Sequence, residues 1–526
     1  MHEHTTKDLV GKFILFATIL ASGMAFLDGT VVTIAIPVIQ SKLHATVADI
    51  QWIVNGYALF LAALILISGA LGDRFGRRKV FLYGIGIFTI ASFLCGMSFG
   101  ITQLVLFRVL QGIGASLMVP GSLSIINVSF KESVRGKAIG MWSGFAGGVA
   151  ALGPFLGGWL VQTYGWSSIF FINIPLGILA FFITLRYVPE TKNDSATRID
   201  TQGALYIFLS LFGIVYGLIR GPENGWDILA VGSLIAGITF LLLFIRVEMQ
   251  VKEPLVPFSL FKSSLVTGAN LATLFLYAAL YGVIFFLVLN FQQVQHYSPL
   301  LAGLGMLPTI LLITFLSGIG GTLADKIGPR IPMIVGPLLV SCAMVLFILP
   351  ARHANYFLGY MPGLILFGLG MAIVIAPLTK SALSVESKFS GAASGINNAV
   401  ARIAGLLAVA LFGVIMVSFF KSQLHTRLTT SLMQPVQMQQ IITQENKMGA
   451  IEIPHTFGST TKTIAQNAIE DSFVYAFDWV MASGAMLAFL SAVISYFTIN
   501  PKKANVTIHD LTKRSSLRAP ASPRGE

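Results

Sequence analysis

The chain has 526 residues, 55% of them hydrophobic and 11% charged, with a mean hydropathy of +0.80. Soluble globular domains carry about 25% charged residues, so composition excludes that class and marks an integral membrane protein. The net charge of +12 would suit a nucleic-acid partner, but its distribution along the chain excludes one.

About 20 apolar residues span the hydrocarbon core of a bilayer. On that measure the sequence predicts fourteen transmembrane helices, at 13–39, 52–72, 79–98, 102–127, 138–160, 168–187, 203–220, 228–246, 264–290, 300–324, 331–350, 357–384, 392–420 and 473–498. The first apolar run, Phe13 to Ile39, is too long for the core of a cleavable signal peptide. With the N-terminus inside, 25 of the 34 Lys and Arg residues fall in inside loops and tails and 7 outside, while Arg108 and Arg402 remain within helices. The positive-inside rule then places both termini in the cytoplasm of a multi-pass protein of the cell (inner) membrane. The same asymmetry explains the basic charge without nucleic acid. Cys95 and Cys342 fall inside predicted helices and are expected as free thiols.

The first helix carries Asp28 in Leu27-Asp28-Gly29-Thr30-Val31-Val32, the one acid placed deep in any predicted helix. A carboxylate inside the membrane is costly, and is functional or paired by default. The loop after the second helix reads Gly69-Ala70-Leu71-Gly72-Asp73-Arg74-Phe75-Gly76-Arg77-Arg78-Lys79. Gly69 is expected to let a neighbouring helix approach, and Gly76 to permit a tight reversal. The fourth helix holds Arg108-Val109-Leu110-Gln111-Gly112. Arginine keeps its charge, so a buried one needs a partner or a wet cavity, and Gln111 shares its helix face. At about 1.5 Å per residue, Asp28 lies roughly 15 Å and Arg108 roughly 9 Å from the outer ends of their helices, near enough to meet directly or through water. A fixed structural salt bridge remains the alternative.

The fifth helix contains Gly153-Pro154-Phe155-Leu156-Gly157-Gly158. Small residues allow close packing in lipid and proline permits a bend, so the stretch is either a hinge or seal, or simple helix packing. The helix pair at 203–246 lies between two six-helix halves. The charged loop recurs in weaker form as Gly321-Thr322-Leu323-Ala324-Asp325-Lys326-Ile327-Gly328-Pro329-Arg330, 252 residues after the first copy, so the halves are expected to be related repeats. The thirteenth helix holds Asn397, Asn398 and Arg402, as cavity-lining or helix-crossing groups. The expected organisation is a six-helix bundle at 1–190, an inserted two-helix linker at 191–262, a second six-helix bundle at 263–500 with a partly ordered outside loop at 421–472, and a disordered cytoplasmic tail at 501–526.

Asp28-Gly-Thr-Val-Val, Gln51-Trp52, the 69–79 loop, Arg108-Val-Leu-Gln-Gly, Gly153-Pro-Phe-Leu-Gly-Gly and Phe170-Phe-Ile-Asn-Ile-Pro175 occur in one order along the chain. That ordered set resembles the fourteen-helix drug:proton antiporter subfamily of the major facilitator superfamily, over nearly the whole length. The resemblance implies export of hydrophobic or amphipathic small molecules in exchange for protons by alternating access. It implies proton coupling at Asp28 and Arg108, and a cytoplasmic gate built from Gly69, Asp73, Arg74, Gly76 and Arg77 with Asp325 and Arg330 in the second copy. It also implies an antiporter hinge at Gly153, Pro154, Gly157 and Gly158, and a substrate cavity touched by Gln111, Asn397, Asn398 and Arg402. Partners are then a small-molecule substrate, protons and the lipid bilayer. A proton-linked exporter of an endogenous metabolite or lipid-like molecule is the second reading.

No nucleotide-binding G-x-x-x-x-G-K-[ST] motif, no metalloprotease motif and no cysteine–histidine grouping occurs in the helices. An ATP-driven pump and an enzyme are therefore disfavoured, and neither a cofactor nor a metal is expected. All eight histidines fall outside the predicted helices, and the deep ionisable groups reduce to Asp28, Arg108 and Arg402.

Overall fold

The structure, a computed structural model, describes residues 2–192, 200–251, 254–350, 352–385 and 389–499. The tail expected at 501–526 lies outside them. Within a bilayer every backbone N–H and C=O must be satisfied inside the protein, which an apolar helix does along its own length. The fold is accordingly all-α. The first seven helices are α1 (His2–Lys42), α2 (Val47–Phe75), α3 (Arg77–Gly96), α4 (Ile101–Ser129), α5 (Glu132–Tyr164), and a broken pair, α6 (Ser168–Phe171) and α7 (Asn173–Tyr187). Then come α8 (Thr201–Asn224), α9 (Ile228–Glu248), α10 (Ser264–Gln293), α11 (Pro299–Gly305), α12 (Leu307–Ile327), α13 (Arg330–Leu346), α14 (Met361–Ala382), α15 (Ser390–Thr429), α16 (Pro435–Ile442) and α17 (Ser459–Thr498). Among the described residues, twelve helical segments are long and apolar enough to cross a membrane, and α13 is a shorter apolar helix.

α1 packs on α4, α5 and α7, while α4 takes α2 and α3 against its other faces. In the later part of the chain, α17 packs on α10, α13 and α15, and α14 on α12 and α13. These two groups meet where α2 crosses α15 and where α5 meets α11 and α12. α8 and α9 form a close pair. Gly213 and Gly237 face each other there, and a Cβ on Gly213 would lie 3.0 Å from the Gly237 Cα. The pair covers α2 and α15 through Leu59, Ala63, Ile207, Leu211, Val215, Leu406 and Ala410.

The segment expected as an outside loop at 421–472 is largely helical. α15 runs on to Thr429 and α17 starts at Ser459, with α16 and a 3₁₀ turn at Glu445–Ala450 between them. Ile441, Met448, Ile451 and Phe457 bury themselves in the main apolar core. The predicted span at 473–498 thus begins fourteen residues early. One consequence is that Asp478 sits well down α17, with its Oδ1 buried and without a hydrogen-bond partner, so Asp28 is not the only acid inside a helix. Another is that His425 lies in α15.

The end of the molecule at which α1 stops holds the two groups of helices together. Gln51 Nε2 donates to the Val409 carbonyl at 2.7 Å, Gln292 Nε2 to the Ile34 carbonyl at 2.9 Å, and Gln293 Nε2 to Gln40 Oε1 at 2.8 Å. Gln40 in turn donates to the Lys447 carbonyl at 3.0 Å. Backbones approach closely at the same end: a Cβ on Gly158 would meet the Pro299 carbonyl at 2.5 Å, and one on Gly303 the Pro154 carbonyl at 2.1 Å. Backbone cannot yield as a flexible side chain can, so a larger residue there forces the helices apart. Gly303→Val should lower the melting temperature of the purified protein, by an overpacking cost of about 1–3 kcal/mol. Gly232→Ala, at a glycine with open space around it, should leave it unchanged. Equal melting of the two variants would refute the close-packing argument.

Candidate functional site

Asp28 on α1 and Arg108 on α4 meet. Arg108 Nη1 donates to Asp28 Oδ2 in an ion pair, and each side chain is about 1% exposed or less. Removing two charges from water costs several kcal/mol per ion, and a stable pair needs its remaining hydrogen-bonding capacity met. Here it is met from several helices. Gln111 Nε2 donates to Asp28 Oδ1 at 2.8 Å and is also 2.6 Å from the Ser92 hydroxyl, while Gln111 Oε1 accepts from Arg108 Nη1 at 2.6 Å. Arg108 Nε donates to the Ile53 carbonyl at 3.0 Å, and Asn173 Nδ2 to Ser92 at 3.1 Å. The guanidinium lies over the Tyr57 ring, 4.3 Å from its centroid, a cation–π contact strengthened by desolvation. Tyr57 is fixed by donating to the Ala25 carbonyl at 3.0 Å.

Arg108 also borders a central cavity with an empty volume of about 1210 Å³, including space open to solvent. Its walls come from α1, α2, α4, α5, α10, α12 and α15. They are mostly apolar, with Ile34, Val54, Ile284, Phe285, Val288, Ile310, Ile313 and Leu406 among them. Polar groups are few: Thr30, Thr33, Asn55, Tyr57, Tyr281, Thr309, Arg108 and Arg402. A pocket of this kind holds a ligand by apolar area and orients it by a small number of polar contacts. Arg402 lies over the Phe26 ring at 5.3 Å and has no carboxylate at ion-pair distance among the described residues. Asn55 was not foreseen. It is fully buried, and both its amide nitrogen and oxygen lack partners in the described residues.

The other residues expected at the cavity stand elsewhere. Gln111 is fully buried behind Arg108, within the ion-pair network. Asn397 donates to Asn270 at 3.3 Å and Thr273 at 3.0 Å on α10, and Asn398 is exposed and bonds back to the Ser394 carbonyl at 3.0 Å. Both serve helix packing or surface in this conformation. The glycine–proline stretch on α5 fits against α1 and α11: a Cβ on Gly153 would fall 1.9 Å from Thr30 Oγ1, one on Gly157 3.0 Å from Val31, and Pro154 borders the cavity.

The charged loop is organised around Gly76, whose φ of +108° is open to glycine. Asp73 pairs with Arg77 at 2.7 Å, and the Arg77 amide donates to the Thr191 carbonyl at 2.9 Å. Glu190 accepts from the amides of Arg78 and Lys79, each at 3.2 Å. That carboxylate sits on the free N–H groups at the start of α3, where the helix dipole favours it. Arg74 lies over Phe75. Nothing comes within 4 Å of a Cβ at Gly69 in this conformation. In the second copy, Asp325 pairs with Lys380, and Arg330 donates to the Tyr496 carbonyl at 2.9 Å and lies over its ring. None of the contacts just named joins the two groups of helices at this end.

The sequence profile of the Major Facilitator Superfamily matches residues 18–409. The chain is 31% identical to the tetracenomycin C resistance and export protein of Streptomyces glaucescens, over 92% of this chain and 91% of that one. It is 32% identical to the multidrug resistance protein Stp of Mycobacterium tuberculosis, over 80% of this chain and 79% of that one. Among solved structures, an inward-facing, occupied bacterial homologue of the human lysosomal transporter Spinster superposes with a TM-score of 0.65 at 17% identity, covering 93% of this chain and 96% of that one. That likeness speaks to the fold alone.

The unpartnered Asn55 amide yields a prediction. An unsatisfied buried amide costs about 1–3 kcal/mol, and a ligand that pairs with it recovers that cost. Asn55→Leu should raise the melting temperature of the ligand-free protein while weakening binding of ligands that offer a hydrogen bond. A variant that melts lower and binds such ligands unchanged would show that Asn55 is packing only.

Proposed function

The chain belongs to the major facilitator superfamily, a family of membrane transporters, and on that premise we propose that it exports hydrophobic or amphipathic small molecules in exchange for protons by alternating access. The observation that carries this reading is the buried Asp28–Arg108 pair standing against the wall of a largely apolar central cavity. Counting Glu132–Tyr164 and the short α13 with the twelve apolar spans gives fourteen crossings, as in the drug:proton antiporters. On this count α1–α7 and α10–α17 form the two six-helix bundles, and α8–α9 the inserted linker. The relatives named for resistance and export support the direction of transport.

Arg108 keeps its proton, so the pair can change charge only at Asp28. Protonating Asp28 removes the counter-charge and leaves Arg108 free to face the cavity. A cationic or amphipathic solute and a proton then exclude each other, which is the competition an antiporter requires. Arg402 adds a second positive charge without an acid beside it. A solute with two positive charges pays twice for that field at low dielectric, so apolar solutes with at most one positive charge are the favoured cargo. In inside-out vesicles, an imposed proton gradient should drive uptake of monovalent lipophilic cations far better than of bivalent ones of similar size. Asp28→Asn should abolish the proton-driven component while leaving solute binding measurable by tryptophan fluorescence. Proton-driven uptake at the wild-type rate in Asp28→Asn would remove Asp28 from the coupling role.

We read the conformation as inward-open, because the end expected to face outward is held by cross-links between the two groups, while the named contacts of the Asp73 and Asp325 loops stay within one group each. The gate proposal is that Asp73, with Gly69, Arg74, Gly76, Arg77, Asp325 and Arg330, stabilises the opposite, inward-closed state, Asp73 turning from Arg77 to the positive N-terminal end of α15. Asp73→Ala should shift the population inward-open and slow transport. Cysteines engineered along the Asp73 end of the cavity report this by their labelling rate. Labelling that matches the wild-type background would sink the gate role of Asp73.

A further inference from the structure

Away from the cavity, three metal-ligating side chains converge from segments remote in sequence. His296 follows α10, His353 precedes α14, and Glu470 lies in the first turns of α17. Their ligand atoms all lie within 4.8 Å of one another. His296 Nε2 is 2.9 Å from Glu470 Oε1 and His353 Nε2 is 3.4 Å from Glu470 Oε2. For zinc bound at about 2.0–2.1 Å in tetrahedral geometry, neighbouring donors stand roughly 3.4 Å apart, so small rotations of the two rings suffice. The rings already stack, with centroids 5.5 Å apart.

Two further observations set this cluster apart from surface ion pairs. Glu470 is only 3% exposed, so its carboxylate is held in the protein and aimed at the two rings, which are themselves half exposed on the outward side. Both histidines also hold a left-handed backbone, with φ of 55° and 56°. Such a conformation costs of order 1–3 kcal/mol in a residue with a side chain, and persists where the surroundings impose it. Glu470 Oε1 also accepts from Gln466 Nε2 at 2.6 Å, and Oε2 lies 3.9 Å from Arg352 Nη1. Arg352 is turned mainly to Asp471, at 3.4 Å, and hydrogen-bonds Asn467. Asp471 is shared with Arg427 at 2.8 Å, so Asp471 draws both arginines away from the three ligands. The open side leaves room for water as a further ligand.

We propose that His296, His353 and Glu470 form a binding site for one divalent transition-metal ion of the zinc type, at the end of the protein remote from the Asp73 loop. Two imidazoles and one carboxylate suit zinc, copper or nickel; magnesium and calcium prefer all-oxygen sets. The ion braces the ends of α10, α14 and α17 against one another. None of the three residues borders the central cavity, so the site acts independently of the transport chemistry.

The test uses the full-length purified protein with any affinity tag cleaved. Equilibrium dialysis against zinc, read by elemental analysis, should give one ion per chain beyond that of the His296→Ala/His353→Ala double variant. Each single histidine variant should bind at least about tenfold more weakly, since even outer-shell partners of a metal site are worth 10–100-fold. Zinc should raise the melting temperature of the wild type and not of the double variant, and magnesium should do neither. Equal zinc stoichiometry in wild type and double variant overturns the proposal. So does a wild type that binds no zinc at micromolar concentration, which would leave the cluster as hydrogen bonds only. The half-exposed histidines are chosen for replacement because removing buried Glu470 would confound binding with folding.

Discussion

The Asp28–Arg108 pair is the constraint on which the first group of helices depends. A guanidinium in a dry interior cannot shed its charge, and losing its partner would strand it at a cost of about 3–5 kcal/mol. Satisfying the pair takes Gln111 from α4, Ser92 from α3, the Ile53 carbonyl and Tyr57 from α2, and Asn173 from α7. One polar knot therefore fixes the relative depth of five helices, in a medium where apolar side chains specify depth poorly. Close backbone contacts do the rest: a Cβ on Gly112 would strike the Tyr57 carbonyl at 2.4 Å, and one on Gly114 the Phe88 amide at 2.6 Å.

The later helices are held differently. Their buried polar chain is neutral, Gln295 donating to the Tyr360 hydroxyl at 2.9 Å and Tyr360 to Asn290 at 2.9 Å. The rest is an apolar core that reaches across to Ile36, Val47 and Ile50 of α1 and α2. At the cavity itself, the ion pair stands on the side of the first group, and the later helices contribute mostly apolar surface together with Arg402.

Much of this was legible in the sequence because the bilayer imposes a long apolar period that few other structures share. The depth estimate for Asp28 and Arg108 worked for the same reason: helix rise converts position directly into distance. What was missed has physical causes as well. Hydropathy detects contact with lipid, not helix, so the polar ends of α15 and α17 read as loop, and Asp478 was hidden by starting its helix at 473. Glu190 gives no local signal, since its partners at Arg78 and Lys79 lie 112 and 111 residues away. The same holds for Glu470 and the two histidines.

The α8–α9 pair lies along the crossing of α2 and α15 and presents Ile228, Leu229, Ile235, Ile238 and Leu242 outward. That crossing is one of the two places where the two groups of helices meet, the other being α5 against α11 and α12. The pair acts as a shutter on it, because α8 fills the groove with Ile207, Leu211 and Val215. The two meeting places are therefore built unlike: side chains of α8 stand between the α2–α15 crossing and the outward face of α9, whereas α5 meets α11 and α12 directly.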